Sequence, residues 1–248
     1  MTVEDQQPLK DFWWLKPSDF LQTMAKNNDL GNIMGGFSTI AKAAPLLETF
    51  WERYRVVYPQ FQLFERVDAG ICCYRQCIPL YLHGDEGITF KKGGVLIMSM
   101  QSPLGFGTSK RPMEMSLNLE KVGESGLPLN FVKCGMLTRM VMVICPKEMY
   151  KEDPRVWNAI FDKVATDFQL METNGIELDG QGLVYPIVIG NKGDWSYLVS
   201  SANLERSYRR APKSAKDCDR GNDRNVEGAG VCHLCLCGQS LDWENLWL

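Results

Sequence analysis

The chain has 248 residues, of which 45% are hydrophobic and 23% charged. That is ordinary globular composition, enough to bury one sizeable α/β core, and it excludes disordered, collagen-like and coiled-coil classes. Net charge is −3, so no global basic field exists and any nucleic-acid contact must rest on a local patch.

The N-terminus, MTVEDQQPLKDFWW, is polar and acidic where a secretory signal needs a basic start and an apolar stretch. The apolar runs along the chain, such as Val95–Met98 and Met140–Cys145, fall far short of the roughly 18–20 residues that span a bilayer. A soluble intracellular protein is expected. Residues 1–69 read as a helical region. Ser18 and Asp19 offer a cap before Phe20, Leu21 and Met24, and Ile40, Leu46, Leu47, Phe50, Trp51 and Tyr54 recur near helical spacing. Gly31, Gly35 and Gly36 separate the two stretches. The aromatic residues read as core or partner-packing surface rather than a ligand site.

From about residue 70 the pattern changes. Ile78–Leu82 is a short strand-like run that ends in HGDEG at residues 83–87, and VLIMSM opens a second strand after Gly93 and Gly94. Residues 105–130 read as a long, partly irregular loop. Phe131–Ile144 reads mostly as strand, with helix as the alternative. The clearest helix begins at Asp153-Pro154, carries Trp157, Ile160, Phe161, Val164, Phe168 and Met171 on one stripe, and stops at Asn174-Gly175. After a turn at 179–182, Leu183–Ile189 is a buried-strand run in which Pro186 implies a bulge or an edge. It leads to GNKGDW and a short helix through Leu204.

Two acids occupy matched settings: Asp85 and Asp194 each follow a glycine at a predicted strand end. Carboxylates from neighbouring strands suit Mg²⁺, which takes oxygen ligands and keeps several waters, and such a pair can act on a phosphodiester. Glycine-aspartate is also ordinary turn chemistry. His83 invites a catalytic role, although a histidine at a strand end is more often simply hydrogen-bonded. No serine-hydrolase elbow and no dinucleotide-binding glycine loop is present.

Nine cysteines, an odd number, argue for free thiols or a metal site over a disulfide framework. Cys72, Cys73 and Cys77 share one stretch. Cys232-His233-Leu234-Cys235-Leu236-Cys237 contains the C-x₂-C half of a zinc site, to which Cys218 or His233 could add a ligand. The alternative there is a set of reduced thiols. Between Glu205 and Arg224 seven basic residues face four acidic ones. Arg206, Arg209, Arg210, Lys213 and Lys216, with Tyr208 among them, are the candidate nucleic-acid contacts, with a solvated loop as the alternative.

HGDEG at 83–87, the following GGVLIMSMQSPLG, KGDW at 192–195 and CHLC at 232–235 together resemble transposase-like open reading frames of unicellular algae. These in turn resemble cut-and-paste DNA transposases with a catalytic Asp-Asp-Glu triad. The resemblance covers about residues 70–248. It implies an α/β, ribonuclease-H-like mixed sheet flanked by helices at 70–204, with the first and fourth strands side by side. The N-terminal helical region precedes it, and a small cysteine-bearing insertion or tail follows at 205–248.

Carried over, Asp85 and Asp194 become the first two metal-binding acids, with Glu86 as a neighbour able to substitute for or support Asp85. Strand alternation allows only one of Asp85 and Glu86 to face the site. The resemblance also favours zinc at Cys218, Cys232, Cys235 and Cys237, and a nuclear location. The third acid is expected on a late helix. Glu244 and Asp242 are the only acids near the end, so an incomplete triad in a fragmentary or degenerate copy is expected. The resulting expectation is a transposon-derived protein for Mg²⁺-dependent DNA cleavage or transfer, without a small-molecule cofactor. The alternatives are a non-catalytic nucleic-acid or protein-binding module with a small zinc site, or a fragment without function.

Overall fold

Seven strands and six helices are assigned in the computed structural model, which describes residues 14–88, 93–105, 107–108, 111–112, 127, 129–130, 138–151 and 153–201. The chain divides into two compact units, residues 1–192 and 193–248.

In the first unit the strands are β1 (Cys77–Ile88), β2 (Gly94–Gln101), β3 (Gly107–Thr108), β4 (Arg111–Pro112), β5 (Met140–Pro146), β6 (Ile176–Leu178) and β7 (Gly182–Gly193). Five of them form one curled sheet in the order β5-β2-β1-β7-β6, and β3 pairs only with β4. The β5-β2-β1 portion is an antiparallel meander, and β6 and β7 form an antiparallel hairpin. Because the sheet is mixed, the central β1/β7 pair is the parallel one.

Two differences from the sequence reading matter. HGDEG is not a turn: β1 continues through it, with Gly84 opposite Met98, Asp85 opposite Ile97 and Glu86 opposite Leu96. The glycines survive in the strand because β2 pairs with every residue from Tyr81 to Ile88. The strand order also departs from expectation. The first strand of the sheet lies beside its fifth, because the three-residue β6 precedes β7 and pairs with its outer side. The pairing with β6 ends at Val184, so Pro186 sits beyond the last residue paired with β6.

The helices in this unit are α1 (Pro17–Lys26), α2 (Ile40–Val57), α3 (Leu63–Asp68), α4 (Lys147–Lys151) and α5 (Pro154–Asn174). Asp153 caps α5 by accepting from the Arg155 amide at 2.9 Å, and Gly175, with φ of 74°, ends it. Its stripe of Ile160, Val164, Phe168 and Met171 is buried, as its spacing predicts. The N-terminal helices pack on the sheet region. Both the amide and the hydroxyl of Ser18 in α1 donate to the Asp167 carboxylate of α5, at 2.9 and 3.0 Å. Trp51 of α2 is fully buried and donates its indole N–H to the Cys77 carbonyl at 2.8 Å. Arg66 of α3 donates to the carbonyls of Glu172 and Thr173, satisfying the C-terminal end of α5.

Strand alternation divides the sheet into two faces. The inner face carries Ile78 and Leu80 of β1, Leu96, Met98 and Met100 of β2, and Val143 and Cys145 of β5, all essentially without solvent exposure. Helix α4 packs on β2 and β5 and against α5. Val141 pairs with Ser99 and Val143 with Met98, so Met142 is a bulge residue, and it is buried as well. The outer face carries Tyr81, His83 and Asp85, then Ile97 and Ile144, the last 61% exposed. No helix among the described residues is long and apolar enough to cross a membrane.

In the second unit the described residues include α6 (Trp195–Ser201). Residues 202–248 lie outside the described residues.

Candidate functional site

β1 begins buried on both sides from Cys77 to Leu80 and becomes one-sided at Tyr81. From there its outward residues are polar. Asp85 is exposed and makes no ion pair among the described residues. Glu86 points to the other face. It pairs with Lys147 and accepts a hydrogen bond from the Tyr150 hydroxyl at 2.9 Å. Burial and this carboxylate both hold the Tyr150 phenol protonated well above its ordinary range. Glu86 is thus held by α4, away from the Asp85 face.

His83 lies opposite Ser99 on the outer face. Burial and the positive charge of Arg139 and Lys192 favour its neutral form, and Asp85 opposes them. Lys192, near the end of β7, sets its ammonium 3.6 Å from the centre of the Tyr81 ring. Burial and Arg139 push the Lys192 pKa down from its ordinary value. Gly190, two residues earlier on the same side of β7, makes room for that ring: a Cβ there would meet it at 3.3 Å. Tyr54 of α2 approaches the same ring and donates to the Ile189 carbonyl at 3.4 Å.

Arg139 completes the group. The last β2/β5 pair is Met100 with Met140, and Met100 in turn faces Leu82. Arg139, the residue before Met140, is exposed while Met140 is buried, and its charge acts on both His83 and Lys192. The outer face therefore presents two cations, Arg139 and Lys192, around Tyr81, with His83 and then Asp85 further along β1.

Sequence reading picked out His83 and Asp85 but missed Tyr81, Arg139 and Lys192. Alternation from Asp85 back to Tyr81 was available once β1 was taken through HGDEG. Arg139 needed the register of two further strands, which no local pattern carries.

Asp194 immediately follows β7. Its Oδ1 accepts from the Tyr197 amide at 2.7 Å and its carbonyl from the Leu198 amide at 3.0 Å, so it caps α6. Cys72, Cys73, Cys77 and Cys145 are free thiols. The Cys77 thiol donates to the Cys73 carbonyl at 3.2 Å. Its closeness to Cys72 lowers the pKa of the Cys72 thiol to about 7, and Cys72 together with burial raises that of Cys77. Among the described residues no group of three or more His, Cys, Asp or Glu is gathered for a metal. The candidate zinc ligands Cys218, Cys232, Cys235 and Cys237, the basic residues Arg206, Arg209, Arg210, Lys213 and Lys216, and Glu244 lie outside the described residues. Comparison of the chain with protein families, with curated proteins and with solved structures finds no match in any of the three.

Proposed function

We propose that the chain is a ribonuclease-H-like, transposase-derived protein that acts on the phosphodiester backbone of DNA with Mg²⁺ held by Asp85 and Asp194. The observation that carries this reading is the pairing of β1, which bears the exposed Asp85, with β7 at the centre of the sheet. Setting aside the three-residue β6, the remaining order is an antiparallel meander with the strand after the long helix laid parallel beside the first. Asp85 fits a hard cation, being an exposed oxygen donor without an ion-pair partner among the described residues. Bound there, Mg²⁺ supplies polarisation of the phosphodiester and a more acidic attacking oxygen. The protein's part is to hold the strand against the outer face and to keep Glu86 out of the site.

The test is nicking of supercoiled plasmid by the full chain in Mg²⁺ and in chelator. The reading expects any Mg²⁺-dependent nicking, weak at most with the triad incomplete, to be lost in both Asp85→Ala and Asp194→Ala. Nicking that survives Asp85→Ala contradicts it. A second reading, a non-catalytic nucleic-acid-binding module, is favoured by the two cations on the outer face and by the lack of a three-ligand cluster among the described residues. DNA binding without nicking selects that one.

A further inference from the structure

We propose that Arg139 and Lys192, flanking Tyr81 and Gln101 across the outer face of the sheet, form a strip that binds phosphate groups. The strip does not depend on Asp85 holding a metal. Three observations place its members together. The β1/β2/β5 register runs Leu82, Met100, Met140; Tyr81 pairs with Gln101 in the next row, and Arg139, the residue before Met140, is among the charges acting on both His83 and Lys192. Exposure follows the same alternation: Met140 and Met100 are buried, whereas Arg139 is exposed. On the opposite side of β1, Lys192 lies over the Tyr81 ring at 3.6 Å, and Gly190 leaves room for that ring.

Charge then decides what this row is for. The ion pairs among the described residues are Arg55–Asp68, Arg75–Glu48, Lys147–Glu86 and Arg155–Asp153. Arg139 and Lys192 belong to none of them, and no other acid besides Asp85 is among the groups acting on their neighbour His83. Two like charges gathered on one face without an acid between them repel each other, and an anion placed between them reverses the sign of that interaction. The guanidinium forks onto two oxygens of a phosphate, and the ammonium binds as a point charge. The Gln101 amide, without a hydrogen-bond partner among the described residues, can donate to a third oxygen. A sheet face with an aromatic ring between cations also suits an extended strand, whose phosphates recur along its length.

The probe is a fluorescently labelled single-stranded oligonucleotide, titrated with the full chain over a range of KCl, with a duplex and inorganic phosphate as separate arms. Each phosphate contact contributes about 0.7 to the slope of log affinity against log salt on a single strand. Arg139→Gln with Lys192→Gln should therefore weaken binding roughly tenfold or more and reduce that slope by about 1.4. Arg139→Lys, which keeps the charge, should keep most of the slope. Both substitutions are on an exposed face, and unchanged circular dichroism and Tm establish that the variants fold. If inorganic phosphate binds and is lost in the double variant while oligonucleotides bind no better, the strip stands and its ligand is a free phosphate group. If the double variant binds every probe with the parent's affinity and salt slope, or the parent binds none, the proposal is overturned. Asp85→Ala separates this strip from the metal reading. It should leave oligonucleotide binding in chelator unchanged or tighter, whatever happens to nicking.

Discussion

The two faces of one sheet are made from the same strands and serve different ends. On the inner face Leu80, Leu96, Met98 and Cys145 are excluded from solvent, with α4 packed on β2 and β5, and the acid Glu86 is held by Lys147 and Tyr150. On the outer face Asp85, Arg139 and Lys192 have no ion-pair partner among the described residues, and Ile97 and Ile144 are left partly or largely exposed. Adjacent residues in sequence, Asp85 and Glu86, thus have unlike roles because a strand turns successive side chains to opposite sides. From Tyr81 onward the buried packing of β1 lies on the inner face. The chemistry available to a ligand resides in the outer one.

The sharpest way to break this contrast is a matched pair of truncations. Leu80→Ala removes a buried side chain and should cost about 2–5 kcal/mol, whereas Ile144→Ala on the outer face should cost under about 1 kcal/mol. Chemical denaturation of both variants measures it, and equal losses would mean that the outer face is covered in solution. Next in size is Arg66→Ala. It strips the Glu172 and Thr173 carbonyls of their donor and the Tyr185 ring of its cation, and should cost about 1–2 kcal/mol. Since Arg66 lies away from the outer-face cluster, oligonucleotide binding at a temperature where the variant is folded should not change.

Glu86→Gln sharpens the comparison further. The Lys147–Glu86 pair is partly exposed, so its loss should cost about 1 kcal/mol or less, measured by Tm. Any nicking or metal affinity should be kept, in contrast to Asp85→Ala. A loss of metal response in Glu86→Gln equal to that in Asp85→Ala would remove the distinction between the faces.

The smallest expected effect is a pH dependence at Glu172. Burial raises its carboxyl above the ordinary range, with Arg66 opposing. As pH rises above the ordinary carboxylate value, the unfolded chain releases this proton before the folded one does. The folded state then binds more protons, and stability falls with rising pH through that window. Glu172→Gln has no proton to release, so its Tm relative to the parent should rise between about pH 4 and about pH 7. A constant difference across that range would contradict the burial of this carboxyl.

These contrasts also show what the sequence could reveal. The stripe from Trp157 to Met171 identifies α5 and its caps, because helical periodicity is local and long. Strand β7 is legible as an apolar run, and its place beside β1 was anticipated. The course of β1 through HGDEG was not, since two glycines and two acids read as a turn until β2 supplies their partners. The β6 arm, Ile-Glu-Leu, is too short to carry a period of its own and was missed, which shifted the expected strand order. Asp85 was legible as a candidate by its residue type. Arg139 and Lys192 were not, because their meeting around Tyr81 depends on pairings between strands far apart in sequence.

The central claim is that Asp85 on the outer face is a cation site. The chain contains only two histidines, His83 and His233, so the His83 imidazole resonances are readily assigned. Titrating the labelled full chain with Mn²⁺ as a paramagnetic stand-in for Mg²⁺ should broaden the His83 signals. The same titration of Asp85→Ala should leave them sharp. Broadening of equal extent in both proteins, or none in the parent, would contradict the claim.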